Sequence, residues 1–336
     1  DDRDGSVSVT TEGNVNSDIV GTYLLKYSTV DSAGNTATDT RTVNVVSGNF
    51  VTISGIVTYD KVPSNSNNIG LDYSNITQEY AKSVVVEAIE GSNTAIAFTT
   101  TDALGQYVLS VPEDTVVKIR VSAKMLQAGT PSWDVKVVDN TSSNALYVME
   151  GSLVSSGATN SQRDLHAPSG WSGSAYTSTR VAAPFAIVDS VYSAMNRVLS
   201  ADANTVFPPL TVNWSVNNVP SNTMNVSLGQ IGTSHYSGSN LYILGDADND
   251  TDEYDDHVVT HEWGHYYEDK FSRSDNIGGA HSADDHLDIR VAFGEGWGNA
   301  FAAMALDDPI YFDTLDASQA SGFFFDIESG TSTTKG

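Results

Sequence analysis

The segment His261-Glu-Trp-Gly-His265 constrains this chain more than any other part of its sequence. On an α-helix, positions four apart lie on one face, so the two imidazoles can bind a single metal ion. Glu262 then lies one position round the helix, where its carboxylate can take a proton from a water molecule beside the metal. Zinc hydrolases need this combination of two nitrogen ligands, an open coordination position and a nearby base. We therefore predict Zn²⁺ as a cofactor, with His261 and His265 as ligands and Glu262 as the catalytic base.

The same pentapeptide pattern also occurs by coincidence on ordinary surface helices. The surrounding residues must therefore show whether this helix is a metal-binding one. Asp255 and Asp256 are good N-cap candidates for a helix that continues to Phe271. This helix would carry an apolar face formed by Val258, Val259, Trp263 and Tyr266. A solvated helix rarely has such a face, and the context therefore favours a buried metal-binding helix.

A second segment, from Val291 to Met304, supplies a candidate third ligand. Its apolar periodicity and its stop at Asp307-Asp308-Pro309 predict a helix, although glycines at positions 294, 296 and 298 are costly inside one. Because glycine lets another backbone come close, this helix could pack tightly on the first and bring Glu295 to the metal. Asn299 lies one turn further on, where its side-chain oxygen could hold the outer N–H of a ligand histidine.

These two motifs resemble those of the gluzincin metallopeptidases, over about Ala182 to Leu306. In that family a glutamate on a later helix is the third zinc ligand, so the resemblance implies that His261, His265 and Glu295 bind zinc and that Glu262 is the general base. The spacer between His265 and Glu295 is longer than in the best-known members. The metzincin pattern is absent after His265, and no Gly-x-Met-Glu-Asn stretch of the aminopeptidase type occurs, which disfavours exopeptidase action.

The elements before the metal helix also follow the order of a gluzincin upper subdomain. Residues Pro184–Leu199 predict an amphipathic helix, with Pro184 suited to its first turn. Strands are predicted at Leu210–Val216 and Asn240–Leu244. In the family, the strand before the metal helix is a sheet edge that holds substrate by main-chain pairing, and Asn240–Leu244 would correspond to it.

The fold class that we predict is multidomain, with all-β domains followed by an α+β zincin-type metallopeptidase domain. Residues 1–47 show alternating strands, and Tyr27–Ala37 resembles the later strands of bacterial Ig-like surface repeats. Residues 50–127 resemble the carboxypeptidase regulatory-like domain, a prealbumin-like β-sandwich, on Thr100–Tyr107, and residues 65–78 predict a polar loop. The remaining residues, 128–336, would form the metallopeptidase domain.

We expect both ends of this chain to fall inside folded units. The Ig-like repeat lacks its opening strands, which would leave an unpaired sheet edge and allow self-association. The gluzincin resemblance implies a further helical subdomain after residue 336, and in the family that subdomain often carries a Tyr or His that stabilises the oxyanion. His281 and His286 could take this role, or could be solvent-exposed loop residues.

Composition restricts the partners and the location of the protein. It has 42 acidic and 16 basic residues, for a net charge of −26, which disfavours nucleic acid and anionic membranes as partners. Cysteine is absent, so disulfides and thiol chemistry are excluded. No run of residues is apolar enough to span a membrane. With many Ser, Thr, Asn and Gly residues in short strands, the chain is typical of bacterial extracellular or cell-surface proteins.

An acidic segment precedes the metal helix and contains alternate aspartates, at Asp246, Asp248, Asp250 and Asp252. Such carboxylates repel one another unless water or a cation screens them, and their oxygens suit Ca²⁺. The glycine and the closing glutamate of an EF-hand are missing. The segment is therefore either a calcium site or a solvated acidic loop.

Two function classes remain open. The first is a secreted zinc endopeptidase that acts on protein or peptide substrates, glycan-decorated proteins included. The second is a non-catalytic surface adhesin or self-assembling protein with a structural metal site, which needs a fourth protein ligand. The nearby candidates for that ligand are His281, Asp285, His286 and Asp288. Glu262 would have no catalytic role in a protein with a purely structural metal site.

Overall fold

A computed structural model describes residues 7–45, 47–65, 70–279, 281 and 285–330 of the chain. The chain divides into two compact units, residues 1–50 and residues 51–336, which we call the N-terminal and C-terminal units.

The N-terminal unit is a three-stranded antiparallel sheet in the order β1-β2-β3. Its strands are β1 (Thr10–Glu12), β2 (Gly21–Val30) and β3 (Thr36–Val45). Strands β2 and β3 pair along their whole length, from Gly21 opposite Val45 to Val30 opposite Thr36. Asp31 closes the turn between them, because its carboxylate accepts hydrogen bonds from the backbone and side-chain N–H groups of Asn35, each at 2.7 Å.

The first part of the C-terminal unit is rich in strands. They are β4 (Phe50–Lys61), β5 (Ser64–Asn65), β6 (Gly70–Leu71), β7 (Thr77–Tyr80), β8 (Val84–Glu90), β9 (Ala95–Thr100), β10 (Gln106–Pro112), β11 (Val116–Gln127), β12 (Trp133–Asp139), β13 (Ala145–Leu146), β14 (Val148–Glu150), β15 (Val154–Ser155), β16 (Ser161–Gln162) and β17 (Leu165–Ala167). Strand β4 shows the alternation of a half-buried strand, with Ile53, Val57 and Tyr59 buried. Of the stretch predicted as a polar loop, residues 66–69 lie outside the described residues. Residues 65, 70–71 and 77–78 are in strands, so the loop prediction is wrong there.

The remaining elements carry the motifs predicted to bind a metal. They are α1 (Ala183–Ala201), β18 (Leu210–Trp214), a 3₁₀ turn at Val226–Leu228, β19 (His235–Ser237), β20 (Asn240–Ile243), β21 (Gly245–Asp246), β22 (Asp250–Thr251), α2 (Asp256–Phe271), α3 (Ile289–Leu306), β23 (Ile310–Leu315), a 3₁₀ turn at Ala317–Gln319 and β24 (Ser321–Asp326). Among the described residues, none of the helices is long and apolar enough to cross a membrane.

Two sheets enclose a common core. In one, β4 lies between β10 and β16 and also pairs with β7 and β17. The other follows the order β19-β20-β18-β12-β11-β8-β9, with β18 parallel to both β12 and β20. Residues from both sheets and from all three helices belong to one hydrophobic cluster, which includes Leu109, Ile119, Phe185, Trp214 and Trp263.

The boundary predicted between residues 127 and 128 lies within the larger sheet, because β11 pairs with β12 across it. Strand β12 in turn pairs with β18, where Val135 lies opposite Leu210. Helix α1 packs on β11 and β12. Strands β8, β9 and β11 of the predicted sandwich therefore share a sheet with β12 and β18, and the helices that carry the motifs belong to the same core.

The strand before the metal helix is not the sheet edge that the family resemblance implied. Strand β20 lies between β18 and β19, so the edge is β19. Strands β19 and β20 are joined by the two-residue turn Gly238-Ser239, in which both residues have positive φ, +56° and +68°. This is the geometry of a type I′ hairpin turn. A three-residue strand has too little apolar alternation to be recognised in the sequence, but the Ser-Gly-Ser-Asn turn was a usable signal.

Helix α2 is buried as its apolar pattern predicted. Val258, Val259, Trp263 and Tyr266 are each at most 5% exposed, and the Trp263 ring stacks on Phe301 of α3 at a centroid distance of 5.3 Å. The N-cap prediction needs a correction. Asp255 occupies the N-cap position, but its carboxylate makes no capping hydrogen bond. It accepts hydrogen bonds from the backbone N–H and the hydroxyl of Thr314, each at 2.8 Å.

The shared core makes a testable prediction about cooperativity. All five tryptophans of the chain lie after residue 132, whereas Leu109 is a core residue of the predicted sandwich that is 2% exposed. We expect Leu109→Ala to lower the free energy of unfolding by roughly 2–5 kcal/mol, and to shift the transition monitored by tryptophan fluorescence in denaturant. The matched control is Val108→Ala, since Val108 is 61% exposed, and its effect should stay within about 0.5 kcal/mol. A tryptophan transition that Leu109→Ala leaves unchanged would show that residues 50–127 unfold independently.

Candidate metal centre

Three side chains from two helices converge in the C-terminal unit. His261 and His265 come from successive turns of α2, and Glu295 comes from α3; their ligand atoms all lie within 4.8 Å of one another. His261 Nε2 is 3.0 Å from His265 Nε2 and 3.1 Å from Glu295 Oε2, and His265 Nε2 is 3.5 Å from Glu295 Oε1. Two imidazole nitrogens and a carboxylate oxygen that point to one place form a donor set that fits Zn²⁺.

The convergence depends on glycine at the contact between the helices. A Cβ on Gly264 of α2 would lie 3.3 Å from the Cα of Gly298 on α3. A Cβ on Gly298 would come within 2.8 Å of the His261 ring. The absence of side chains at these two positions therefore lets the backbones approach closely enough for Glu295 to reach the histidines. The three glycines of α3 differ in their surroundings, because a Cβ on Gly296 would meet nothing within 4 Å.

Polar contacts fix the orientation of the groups at this interface. The outer nitrogen of His261, Nδ1, lies 2.7 Å from Asn299 Oδ1, so the amide oxygen accepts the ring N–H and leaves Nε2 free to bind a metal. Two positions before Asn299, the indole N–H of Trp297 donates to the Gly264 carbonyl at 3.1 Å. Both partners come from α3, which therefore holds the His261 ring as well as supplying Glu295.

The charges in this cluster match the needs of a cation site. Burial acts to raise the pKa of Glu295, but hydrogen bonds from His261 and His265 outweigh it and hold that pKa well below its usual value. Burial acts to lower the pKa of His265, but the hydrogen bond to Glu295 and the charges of Glu262 and Glu295 raise it. Glu295 is therefore an anionic donor, and the carboxylates around His265 favour positive charge there.

Glu262 is held by the edge strand of the larger sheet. Its Oε2 accepts a hydrogen bond from the backbone N–H of Tyr236, in β19, at 2.8 Å. The Tyr236 hydroxyl donates to Asp269, one further contact between β19 and α2. These contacts place the open edge of β19 beside the carboxylate predicted to act as the base. Sequence reasoning missed Tyr236 because its role is played by a backbone group, which the residue type does not reveal.

A second residue that the sequence did not single out is Tyr311, in β23. Its ring centroid is 6.2 Å from that of His261 and 5.7 Å from that of His257. Burial, with the charges of Asp313 and Glu262, raises the pKa of Tyr311, so the phenol stays protonated. Tyr311 therefore forms a wall of the site beside His261.

The other predicted site residues are placed less centrally. His281 Nε2 lies 3.4 Å from Glu295 Oε1, and His281 is thus the one of the two candidate loop histidines that the structure brings to the cluster. His286 and Asp285 are exposed. Asp288 caps α3, where its carboxylate accepts the Arg290 backbone N–H and pairs with the Arg290 guanidinium.

The acidic segment divides into two parts. Asp250 and Asp252 come together with Asp313 of β23, with one carboxylate oxygen of each within 4.8 Å of the others. Asp246 and Asp248 lie outside this group. Asp248 is exposed, and its backbone N–H donates to the Asp246 carboxylate at 3.0 Å. The sequence could not include Asp313 because it lies more than sixty positions away along the chain.

Comparison with known proteins identifies the N-terminal unit. Residues 1–45 match the family described as bacterial surface protein, Ig-like domain. This match indicates a surface or extracellular location, in agreement with the location predicted from composition. No curated protein matches the chain significantly.

The glycine contact between α2 and α3 can be tested with two substitutions in one helix. Gly298→Ala should displace the His261 ring and weaken Zn²⁺ binding about tenfold or more, as measured by competition with a chelator. Gly296→Ala is the matched control, because a Cβ there meets nothing within 4 Å. It should leave zinc affinity unchanged and stabilise the helix by roughly 0.5–1 kcal/mol. Equal zinc affinities for the two variants would contradict the importance of this contact.

Proposed function

We propose that this protein is a secreted or cell-surface zinc endopeptidase. The observation that carries the proposal is the convergence of His261, His265 and Glu295, with Glu262 held beside them by the edge strand β19. The histidines and Glu295 would hold the metal. Zn²⁺, when bound, would act as a Lewis acid that polarises the scissile carbonyl and makes water more acidic.

The chain's own groups account for the proton transfers. Glu262 takes a proton from the attacking water as the new C–O bond forms, and then passes that proton to the nitrogen of the leaving amine as the C–N bond breaks. Its hydrogen bond from the Tyr236 N–H keeps the carboxylate oriented towards the site. Asn299 holds the His261 ring in place throughout.

The position of β19 favours an extended peptide as the substrate. Strand β19 is the edge of the sheet, and its Tyr236 N–H faces Glu262 rather than β20. A peptide that adds to this edge would have its backbone next to the catalytic carboxylate. Edge pairing uses main-chain groups and does not require a terminus of the substrate, which is consistent with endopeptidase action.

A structural metal site in a surface adhesin is the second candidate, and one contact favours it. His281 lies 3.4 Å from Glu295, close enough to become a fourth protein ligand after a small movement. Such a site would be closed to water and substrate. The Ig-like N-terminal unit is compatible with either function.

The role of Glu262 separates catalysis from structure. Glu262→Gln keeps the shape of the side chain but cannot accept the proton of water, so peptide turnover should fall by about 10²–10⁴-fold, while the zinc content stays the same. The measurement is cleavage of a mixed peptide library, with bound zinc determined on the same sample. Glu12→Gln, the same change at an exposed position of the N-terminal unit, should retain full turnover. Unchanged turnover in Glu262→Gln would exclude this residue as the base.

Substitution of Glu295 and of His281 distinguishes a catalytic site with an open coordination position from a closed structural site. Glu295→Ala should weaken Zn²⁺ binding by about tenfold or more, because the site loses its anionic donor. His281→Ala should leave zinc affinity unchanged if the fourth position is open. A release of zinc by His281→Ala, with binding retained in Glu295→Ala, would favour the structural site.

A further inference from the structure

A buried group of carboxylates lies at the start of α2, away from the two histidines. Asp250 comes from β22, and Asp252 follows that strand. Asp313 comes from β23, which follows α3 in the sequence. One oxygen of each lies within 4.8 Å of the others. Asp252 is 3% exposed, and the neighbouring Asp255 is 2% exposed. The fold thus removes several carboxylates from water at one place.

The hydrogen bonding of these carboxylates is incomplete. Asp252 uses one oxygen to accept the Ser234 hydroxyl proton, and Asp255 uses one oxygen for Thr314. The other oxygens, Oδ1 of Asp250, Asp252 and Asp255, are inaccessible to solvent and have no hydrogen-bond partner among the described residues. A buried carboxylate oxygen without a partner is costly, so this arrangement needs either a cation or protons.

Neighbouring charges do not remove this cost. Arg180 is buried close to this region, but it pairs with Glu253 at 2.7 Å. Burial raises the pKa of Asp250 to about 6 and that of Asp313 to about 8, and the charge of Asp250 contributes to the latter. Without a cation, these carboxyl groups must therefore either take up protons or repel one another at neutral pH, and both reduce the stability of the fold.

We propose that Asp250, Asp252 and Asp313 bind one Ca²⁺ ion. Carboxylate oxygens are the ligands that Ca²⁺ prefers, and water or backbone carbonyls can complete its coordination. The all-oxygen donor set distinguishes this site from the His₂Glu set, which suits zinc. The proposal does not depend on the zinc site or on peptidase activity.

The proposed ion would link β22 and the segment that leads into α2 to strand β23. Asp313 is two residues after Tyr311, so both side chains lie on the same face of β23. A Ca²⁺ ion shared by Asp252 and Asp313 would fasten β23 to the segment that leads into α2. Tyr311, which lies against His261 and His257, would be held in place by the same link.

Calcium binding can be measured directly on the full chain. The protein is stripped with EGTA, reloaded with Zn²⁺ alone, and then titrated with Ca²⁺ by calorimetry and in thermal melts. We expect about one equivalent of Ca²⁺ to bind, and the melting temperature to rise with Ca²⁺ concentration. An absence of binding heat together with an unchanged melting temperature would overturn the proposal and leave a cluster of shared protons.

Two variants locate the ion. Asp313→Asn should weaken Ca²⁺ binding by about tenfold or more, because it removes a charged ligand. In EGTA the same variant should melt at a higher temperature than the unchanged protein, because asparagine needs neither a proton nor a cation at this buried position. These opposite effects distinguish loss of a ligand from simple misfolding. The control is Asp248→Asn, at an exposed aspartate outside the group, and both quantities should be unchanged. A loss of affinity in Asp248→Asn as large as in Asp313→Asn would place the ion in the exposed loop and overturn the assignment.

Discussion

The close contact of α2 and α3 at Gly264 and Gly298 is the constraint on which the candidate metal centre depends. A metal site built from two helices needs their backbones near enough for short side chains to meet. Here a Cβ on Gly298 would strike the His261 ring at 2.8 Å. Glycine inside a helix costs about 1 kcal/mol relative to alanine, and the contacts made by Glu295, Trp297 and Asn299 across the interface offset that cost. The helix pair is thus stabilised by the same contacts that form the site.

The remaining walls of the site come from elements that are distant in the sequence. Strand β19 reaches Glu262 through the backbone of Tyr236, and β23 places Tyr311 beside His261. Both strands pack on α2, β19 from the edge of the larger sheet and β23 from the C-terminal hairpin. Helix α2 is therefore enclosed by α1, α3 and two strands, which explains why its motif residues are partly or fully buried although the helix is rich in polar residues.

Several of the chain's many carboxylates are gathered at the start of α2. A net charge of −26 is spread mostly over exposed side chains, where water screens it. Four aspartates differ because the fold brings them close together, with Asp252 and Asp255 buried and Asp250 and Asp313 partly buried. Burial makes these carboxylates costly unless a cation or protons neutralise them, and this happens where β22, β23 and the N-terminus of α2 meet. The N-cap aspartate, Asp255, accepts hydrogen bonds from Thr314 instead of capping its own helix.

Local patterns in the sequence were enough for the elements and for the central residues of the site. Helical spacing placed His261, Glu262 and His265 on one helix, and apolar periodicity located α1 and α3, because both signals depend on residues a few positions apart. The Ig-like start of the chain was also recognisable from its turn and strands. Long-range arrangements could not be read in this way. That β20 lies inside the sheet, that the strands before residue 127 share a core with the helices, and that Asp313 rather than Asp246 joins Asp250 all depend on how distant segments pack. Such contacts are decided by the burial of whole faces against one another, and no single segment carries that information.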